Sequence, residues 1–243
     1  MAKSKHYYIR KTHRYLGVIL GIQFLFWTIS GLYFSWTNID EIHGDFQHKH
    51  PPRLTGNIHL ISPDSILQQI QPDIINSIQL VNILQQPFYS VNYTKEKVTK
   101  LILADAQAGT IRKPVNKEEA IKIAAESFNG EPKLSSVEYI TTADAHHEYR
   151  EKPLPAWAVT FNHPSKTTVY VSADRGMVET FRNNKWRLFD FLWMTHTMGY
   201  KERDDLNNWL LRIFSVFGLV TVLSGFALYF VSSKLFRRKK NYQ

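Results

Sequence analysis

Three of the ten histidines lie beside long apolar runs, where an imidazole could hold a metal centre. His13 precedes the apolar run of residues 16–36, and His43 follows it. His196 precedes a second apolar run, residues 213–233. Imidazole is the usual axial ligand of haem iron, and the macrocycle needs an apolar surrounding. These three histidines are therefore the predicted cofactor-binding residues. Haem iron is the only metal predicted, and no catalytic residue is predicted.

Other catalytic signatures are missing from the sequence. The chain has no cysteine, which excludes thiol catalysis, disulfides and iron–sulfur clusters. His147-Glu148-Tyr149-Arg150-Glu151 ends in Glu where a zinc protease needs its second His. No G-x-S-x-G elbow, P-loop or dinucleotide fingerprint is present. Two groups of histidines are interpreted as solvent-exposed loop residues, with metal binding as the alternative. His43, His48, His50 and His59 form one group, and His146 and His147 form the other.

Two apolar helices are predicted to position the three histidines. Residues 16–36 and 213–233 each contain 21 residues without a charge. At 1.5 Å per residue, such a helix spans about 30 Å, the thickness of the hydrocarbon core of a bilayer. The first run is too long for a signal peptide, and no small-x-small cleavage site follows it. Both runs are therefore predicted to be membrane spans, with the first as an uncleaved anchor.

The charge distribution predicts the orientation of these spans. Residues 1–15 carry five Lys or Arg and no acid, and residues 234–243 carry five more with no acid. The rest of the chain has a net charge of −1, although the whole chain has +9. Two basic tails beside apolar spans follow the positive-inside rule rather than the pattern of a nucleic-acid-binding face. Both termini are therefore predicted to be cytoplasmic, with about 170 residues on the other side of the bilayer and no nucleic acid as partner.

Small residues form a stripe on each predicted span. Gly17 and Gly21 form a GxxxG motif on the first, a spacing that lets two helices approach closely. The second span has its own stripe: Ser215, Gly218, Val222, Gly225, Tyr229 and Ser232. The sequence thus predicts an antiparallel helix pair within the chain, with a homodimer through the Gly17/Gly21 face as another use of the motif.

The region between the spans contains two similar units, residues 62–115 and 116–185. Each begins with a predicted helix and continues with strand-like runs, which predicts an α+β domain with each helix packed on a small antiparallel sheet. The predicted strands are residues 77–84, 87–94 and 98–104 in the first unit, and 137–141, 156–162 and 167–172 in the second. Residues 37–61 are predicted to be a linker, and residues 186–208 an interfacial helix with a polar linker.

Several motifs resemble the PepSY-associated transmembrane protein family. Residues 13–17, HRYLG, enter the first apolar helix as in that family. Residues 191–200, FLWMTHTMGY, resemble its Leu/Met-x-His-Thr segment and carry His196. Residues 116–130, followed by strands and the turn at residues 174–176, resemble a PepSY unit. Together these motifs cover most of the chain.

The resemblance implies a bacterial inner-membrane protein with a periplasmic domain of two PepSY-like units. PepSY units elsewhere bind or inhibit partner proteins, including peptidases. Some relatives are reductases of iron–siderophore complexes, in which histidines on membrane helices hold b-type haem; those have four helices, and this sequence has two spans. The first expected function is therefore a membrane-anchored binding or accessory module in envelope or iron-uptake physiology. The alternative is a haem b-bearing component that passes electrons to a periplasmic ferric complex.

The predicted threading separates the three histidines. His13 lies at the cytoplasmic end of the first span, about 35 Å of helix from Trp36 at the outer end. His13 is thus too far to share one iron with an outer histidine. His43 and His196 are predicted to be on the same outer side, where they could form one bis-histidine site. His13 would need a partner from a second copy of the chain.

Overall fold

The computed structural model describes residues 5–50, 52–203 and 205–232. The chain divides into two compact units, each of which is described separately. Unit 1 consists of Met1–Thr37 with Phe189–Gln243, and unit 2 is Asn38–Leu188. Lys3 and the predicted basic tail at residues 234–243 lie outside the described residues.

Unit 1 contains two long apolar helices, α1 (Lys5–Trp36) and α6 (Trp209–Ser232). The segments Arg10–Trp36 and Trp209–Phe230 are long and apolar enough to cross a bilayer. Only 11% and 6% of the most apolar stretch of the respective helices is buried within the structure. A helix in the core of a soluble protein would be mostly buried, so this exposed apolar surface fits contact with lipid.

Helix α6 packs against α1, but the small residues of α1 do not form the contact. Phe214 lies 5.9 Å from Phe24 and 5.4 Å from Trp27, measured between ring centroids. A Cβ added to Gly218 would lie 3.4 Å from Phe24 Cζ. Gly17 and Gly21 have no atom within 4 Å of an added Cβ. The predicted pairing of two small-residue stripes was therefore wrong for α1, since large side chains of α1 meet glycines of α6. The side chain of Ser232 lies outside the described ones.

Unit 2 is an α+β unit with two antiparallel sheets, as predicted. The first sheet has the order β1-β2-β3-β4, and the second has the order β5-β6-β7-β8. Helix α3 (Asp64–Ile70) precedes the first sheet and α4 (Lys117–Glu126) precedes the second. The strands are β1 (Ile74–Ile83), β2 (Gln86–Lys95), β3 (Val98–Asp105), β4 (Ile111–Arg112), β5 (Leu134–Ile140), β6 (Ala156–Phe161), β7 (Thr168–Ser172) and β8 (Val178–Arg182).

One hydrophobic core joins both sheets to α4. The fully buried valines Val159, Val169 and Val171 come from the second sheet, and Ile83 and Leu103 come from the first. On α4, the apolar residues Ala120, Ile123 and Ala124 repeat at intervals of three and four, and they face this core. A second core lies under α3, where Ile66 and Ile70 pack with residues of β2 and β3. Burial on both faces makes the first sheet a central layer of unit 2.

The segment predicted as a linker contains two short helices. Helix α2 (Ile39–His43) begins after Asn38, whose side chain accepts a hydrogen bond from the Asp40 N–H. Gly44 ends α2 in the left-handed region, at φ 80°. A 3-10 helix, Asp45–Gln47, follows. His48 forms an isolated β-bridge with Phe128, which fastens this segment to unit 2.

Candidate functional site

His13 on α1 forms a hydrogen bond to Ser224 of α6. Its Nδ1 lies 2.7 Å from Ser224 Oγ. The Ser224 hydroxyl itself donates to the carbonyl oxygen of Thr221, at 2.7 Å. A hydroxyl has one hydrogen, so with that hydrogen on the Thr221 carbonyl, Nδ1 is the donor to Ser224. In the neutral ring, Nε2 then carries the free lone pair.

His196 is held in the same way at a second place on α1. It lies near the end of α5 (Asn184–Thr197), and its Nδ1 is 2.7 Å from Ser30 Oγ. The Ser30 hydroxyl lies 2.7 Å from the Phe26 carbonyl oxygen and 3.1 Å from that of Trp27, so its hydrogen is directed to the backbone of α1. Nδ1 of His196 is therefore the donor, and Nε2 carries the lone pair.

Side chains of α1 also satisfy the last carbonyl groups of α5. Trp27 Nε1 donates to the His196 carbonyl oxygen at 2.7 Å, and Gln23 Nε2 donates to that of Thr195 at 2.8 Å. Carbonyl groups at the end of a helix lack partners within the helix, so these bonds fix the end of α5 on α1. The ring of His196 lies 5.9 Å from Trp27 and 5.6 Å from Phe34. His196 thus has a largely aromatic surrounding.

The two serine-bound histidines are far apart. Ser30, which holds His196, comes 17 residues after His13 on the same helix. At 1.5 Å per residue this corresponds to about 26 Å along α1. One iron therefore cannot take both histidines of one chain.

Two aromatic residues of α5, in the segment predicted to be an interfacial helix, contact α1. Phe189 lies 4.9 Å and Trp193 6.0 Å from the Phe34 ring. Between them Asp190 is buried and forms an ion pair with Arg203, a contact that sequence reasoning missed. Spacing could have suggested this face, because Phe189, Trp193 and His196 recur at intervals of four and three residues.

His43 belongs to unit 2, where it lines a polar cavity. The cavity has a volume of about 420 Å³ and is also lined by Asp45 and His48. Within the described part of the chain, no three His, Asp or Glu side chains form a group that could hold a metal ion. The hypothesis that His43 and His196 share one haem iron stays a prediction, since the two residues belong to different units.

The linker histidines differ in their exposure. His43, His50 and His59 are exposed, as expected of loop histidines, but His48 is half-buried. Its ring lies 4.8 Å from that of His50 and 5.0 Å from Phe181. Burial, and secondly the nearby His50, lower the pKa of His48.

The loop around His146 and His147 is fastened by its acidic residues. Asp144 Oδ1 accepts the backbone N–H groups of both histidines at 2.8 Å, and these hydrogen bonds lower the pKa of Asp144. The Glu148 carboxylate accepts two hydrogen bonds from Arg187, at 2.7 and 3.0 Å, and one from the Tyr170 hydroxyl at 2.6 Å. Glu148 is thus a structural anchor rather than part of a solvated loop.

Comparison with protein-family models, with curated proteins and with solved structures finds no match for this chain. Function is therefore inferred from the residues of unit 1 and unit 2 and from their contacts. Unit 1 offers two serine-bound histidines between apolar helices. Unit 2 offers a polar cavity and the edges of two sheets.

Proposed function

We propose that the protein crosses the bacterial inner membrane twice, with both termini in the cytoplasm, and that unit 2 is a periplasmic module that binds a partner polypeptide. The two apolar helices and the two basic tails of the sequence support this threading. The resemblance to PepSY-associated transmembrane proteins supports a role in envelope or iron-uptake physiology. The lipid bilayer is then the first partner of the chain, through α1 and α6.

The edge strand β1 is the observation that carries the binding role. Its sequence, IINSIQLVNI, has ten residues and no charge. It pairs with β2 on one side. In the described chain, none of its backbone groups forms a backbone hydrogen bond to any element other than β2. Ile74, Ile75 and Leu80 on this strand are 59%, 45% and 43% exposed.

The other sheet edges are protected in ways that β1 is not. β4 has two residues, and β5 and β8 contain the charged residues Glu138 and Glu179. Short length and charge are the usual protections of an edge strand against pairing. A long, uncharged edge is a template for strand addition by an extended segment of another protein. The proposed partner is therefore a polypeptide segment with apolar residues at alternate positions.

Photo-crosslinking in intact cells tests this role. A benzophenone amino acid at Leu80 should form a crosslink to a discrete partner protein, and the same group at the exposed Glu118 of α4 should not. In a second chain the photoreactive group is placed at Asn76. There Leu80→Lys should abolish the crosslink, because a lysine on β1 disfavours pairing with a partner strand. Hydrogen exchange of the β1 amides should slow when the crosslinked partner is added in purified form. Equal crosslinking from Leu80 and Glu118, or unchanged exchange, would contradict the proposal.

The threading has its own test, which uses the absence of cysteine from the chain. Ser136→Cys places one thiol on the exposed surface of β5. A membrane-impermeant maleimide should label it on intact spheroplasts. Lys3→Cys should be labelled only after lysis, and the reverse pattern would show the opposite orientation.

A haem b-bearing redox component is the second candidate function, and the hydrogen bonds of His13 and His196 favour it. Histidines that ligate metals donate their other ring N–H to a fixed acceptor, which sets the tautomer. With their hydroxyl hydrogens on backbone carbonyls, Ser224 and Ser30 are such acceptors, and both leave Nε2 with its lone pair. His13 and His196 would hold two separate haems, since one iron cannot take both, and haem when bound supplies one-electron transfer toward a periplasmic ferric complex.

A reduced-minus-oxidised absorption spectrum of the purified protein, expressed with a haem precursor, tests this candidate. Soret and α-band changes should appear. His196→Ala should abolish the contribution of one haem to these bands, and His13→Ala should abolish the contribution of another. His43→Ala tests the predicted bis-histidine pair, since it should remove the same contribution as His196→Ala. A spectrum without these bands would exclude the redox function and leave the binding module unaffected.

A further inference from the structure

The polar cavity of unit 2 is lined by parts of the chain that are distant in sequence. The segment of α2, the 3-10 helix and the residue after it contributes His43, Asp45 and His48. Strand β8 contributes Glu179 and Arg182. At about 420 Å³, the cavity lies within the size range of small-molecule sites. Its lining contains carboxylates, cations and imidazoles, so it suits a polar ligand rather than a lipid.

Glu179 brings a buried carboxylate oxygen to this cavity. Its Oε1 is buried and has no hydrogen-bond partner in the described chain. The nearest cationic atom is Nη1 of Arg175, at 3.5 Å, which is an ion pair beyond good hydrogen-bonding distance. A buried acceptor without a donor costs free energy, and burial raises the pKa of Glu179. This oxygen is therefore placed to accept a hydrogen bond from a ligand.

Arg182 brings an oriented cation to the same cavity. Its Nε donates to the Glu148 carbonyl oxygen at 2.8 Å, and its Nη1 donates to Thr180 Oγ1 at 2.6 Å. The guanidinium carbon lies 4.0 Å from the centroid of the Trp186 ring, and this cation–π contact also holds the side chain in place. No group of the described chain accepts from Nη2, which leaves a donor for an anionic group of a ligand. Lys152 adds a second cation to the lining.

We propose that this cavity binds a small zwitterion of the α-amino acid class. The ammonium group would donate to Glu179 and Asp45, and the carboxylate would accept from Arg182 and Lys152. The side chain of the ligand would face Phe181, which also lines the cavity. This chemistry uses both signs of charge in the lining, which a simple anion or cation would leave half unpaired. The site is separate from the β1 edge, and its binding does not depend on the proposed protein partner.

Isothermal titration calorimetry of the full chain in lipid nanodiscs tests the proposal. The probes are L-alanine and L-phenylalanine, with propionate and ethylammonium as compounds that carry one charge each. At least one amino acid should bind, about tenfold or more tighter than either singly charged compound. Glu179→Gln and Lys152→Gln should each weaken that binding by about tenfold, since each removes one charge that meets the ligand.

Matched controls separate the cavity from general surface charge. Glu118→Gln and Lys122→Gln alter exposed residues of α4 and should leave the affinity unchanged. Thermal melts of every variant report folding, and Lys152→Gln changes an exposed side chain, so it tests the cavity independently of the buried Glu179. Absence of binding by both amino acids, equal binding of propionate, or unchanged affinity in the folded Lys152→Gln variant would overturn the proposal.

Discussion

The Ser30 hydroxyl lies 2.7 Å from His196 Nδ1 and 2.7 Å from the Phe26 carbonyl oxygen of α1, so with its hydrogen on the carbonyl it accepts from the imidazole. This pair joins the end of α5 to the last turns of the first apolar helix. Ser30 is fully buried, so the bond is shielded from water. A buried donor that loses its acceptor costs more than the bond itself contributes, because the donor stays desolvated. The pair is therefore both a packing contact and the device that orients the imidazole.

Ser30→Ala should destabilise the protein by about 1–3 kcal/mol, because it leaves His196 Nδ1 without an acceptor. Ser30→Thr keeps the hydroxyl and should recover part of this loss. The measurement is the free energy of unfolding in detergent micelles. Ser35→Ala is the matched control, since Ser35 is exposed and bonds only within α1, to the Leu32 carbonyl oxygen. Equal stability of the Ser30→Ala and Ser35→Ala variants would contradict the assigned role.

Gly225→Leu should weaken the contact between α1 and α6. A Cβ at this position would lie 3.5 Å from His13 Cε1, which is ordinary contact, so Gly225→Ala should be nearly neutral. A leucine side chain would overpack the site and displace the imidazole, at a cost of about 1–3 kcal/mol. Disulfide crosslinking between cysteines placed on α1 and α6 would measure the contact. Gly21→Leu should leave it intact, since Gly21 has open space around an added Cβ.

The sequence predicted the unit 2 sheets well because their signals are local. The strand-like runs and Asn116, whose side chain caps α4 in a capping box with Glu119, come from residues close together in the chain. The serine partners of His13 and His196 could not be found in this way. Ser224 lies 211 residues from His13, and Ser30 lies 166 residues from His196. Helical periodicity shows which residues share one face of a helix, but it does not show which residues of another helix contact that face.

The cavity of unit 2 was missed for a related reason. His43 and His48 were singled out as loop histidines, but nothing local relates them to Glu179 or Arg182, more than 130 residues later. The short helix α2 was also missed, because its five residues are too few to show a helical period. Only the pairing of distant segments brings these side chains to one place.

Glu148→Ala should destabilise unit 2 by about 1–3 kcal/mol. The change removes the acceptor of two hydrogen bonds from Arg187 and one from Tyr170, and it leaves partly buried donors unpaired. Tyr170→Phe removes one bond and one donor together, so its effect should be smaller. Thermal unfolding measures both effects. Glu118→Ala, on the exposed face of α4, is the control and should change the stability by less than about 0.5 kcal/mol.

Glu179→Gln should stabilise unit 2 at neutral pH and lose this advantage in acid. Burial raises the pKa of Glu179 above its ordinary value of 4.5, so the carboxylate at neutral pH carries a desolvation cost that Arg175 and Lys152 offset only in part. The folded wild-type chain takes up a proton more readily than the unfolded chain. Its stability therefore rises as the pH falls through the folded-state pKa, and the gain is complete below 4.5. Glutamine is neutral at every pH and lacks this dependence.

The difference in free energy of unfolding between Glu179→Gln and the wild type isolates this group from others that titrate nearby. The pKa of His48 is lowered, so its contribution to the free energy of unfolding decreases as the pH falls below 6.5. This contribution is the same in the variant and the wild type, and it therefore cancels in the difference. Chemical unfolding curves from pH 4 to pH 8 would show the difference shrinking toward acid, and a constant difference would rule out the raised pKa. A variant that is more stable at neutral pH yet binds amino acids less tightly would show that the buried carboxylate is kept for its ligand, since a functional site often sacrifices stability.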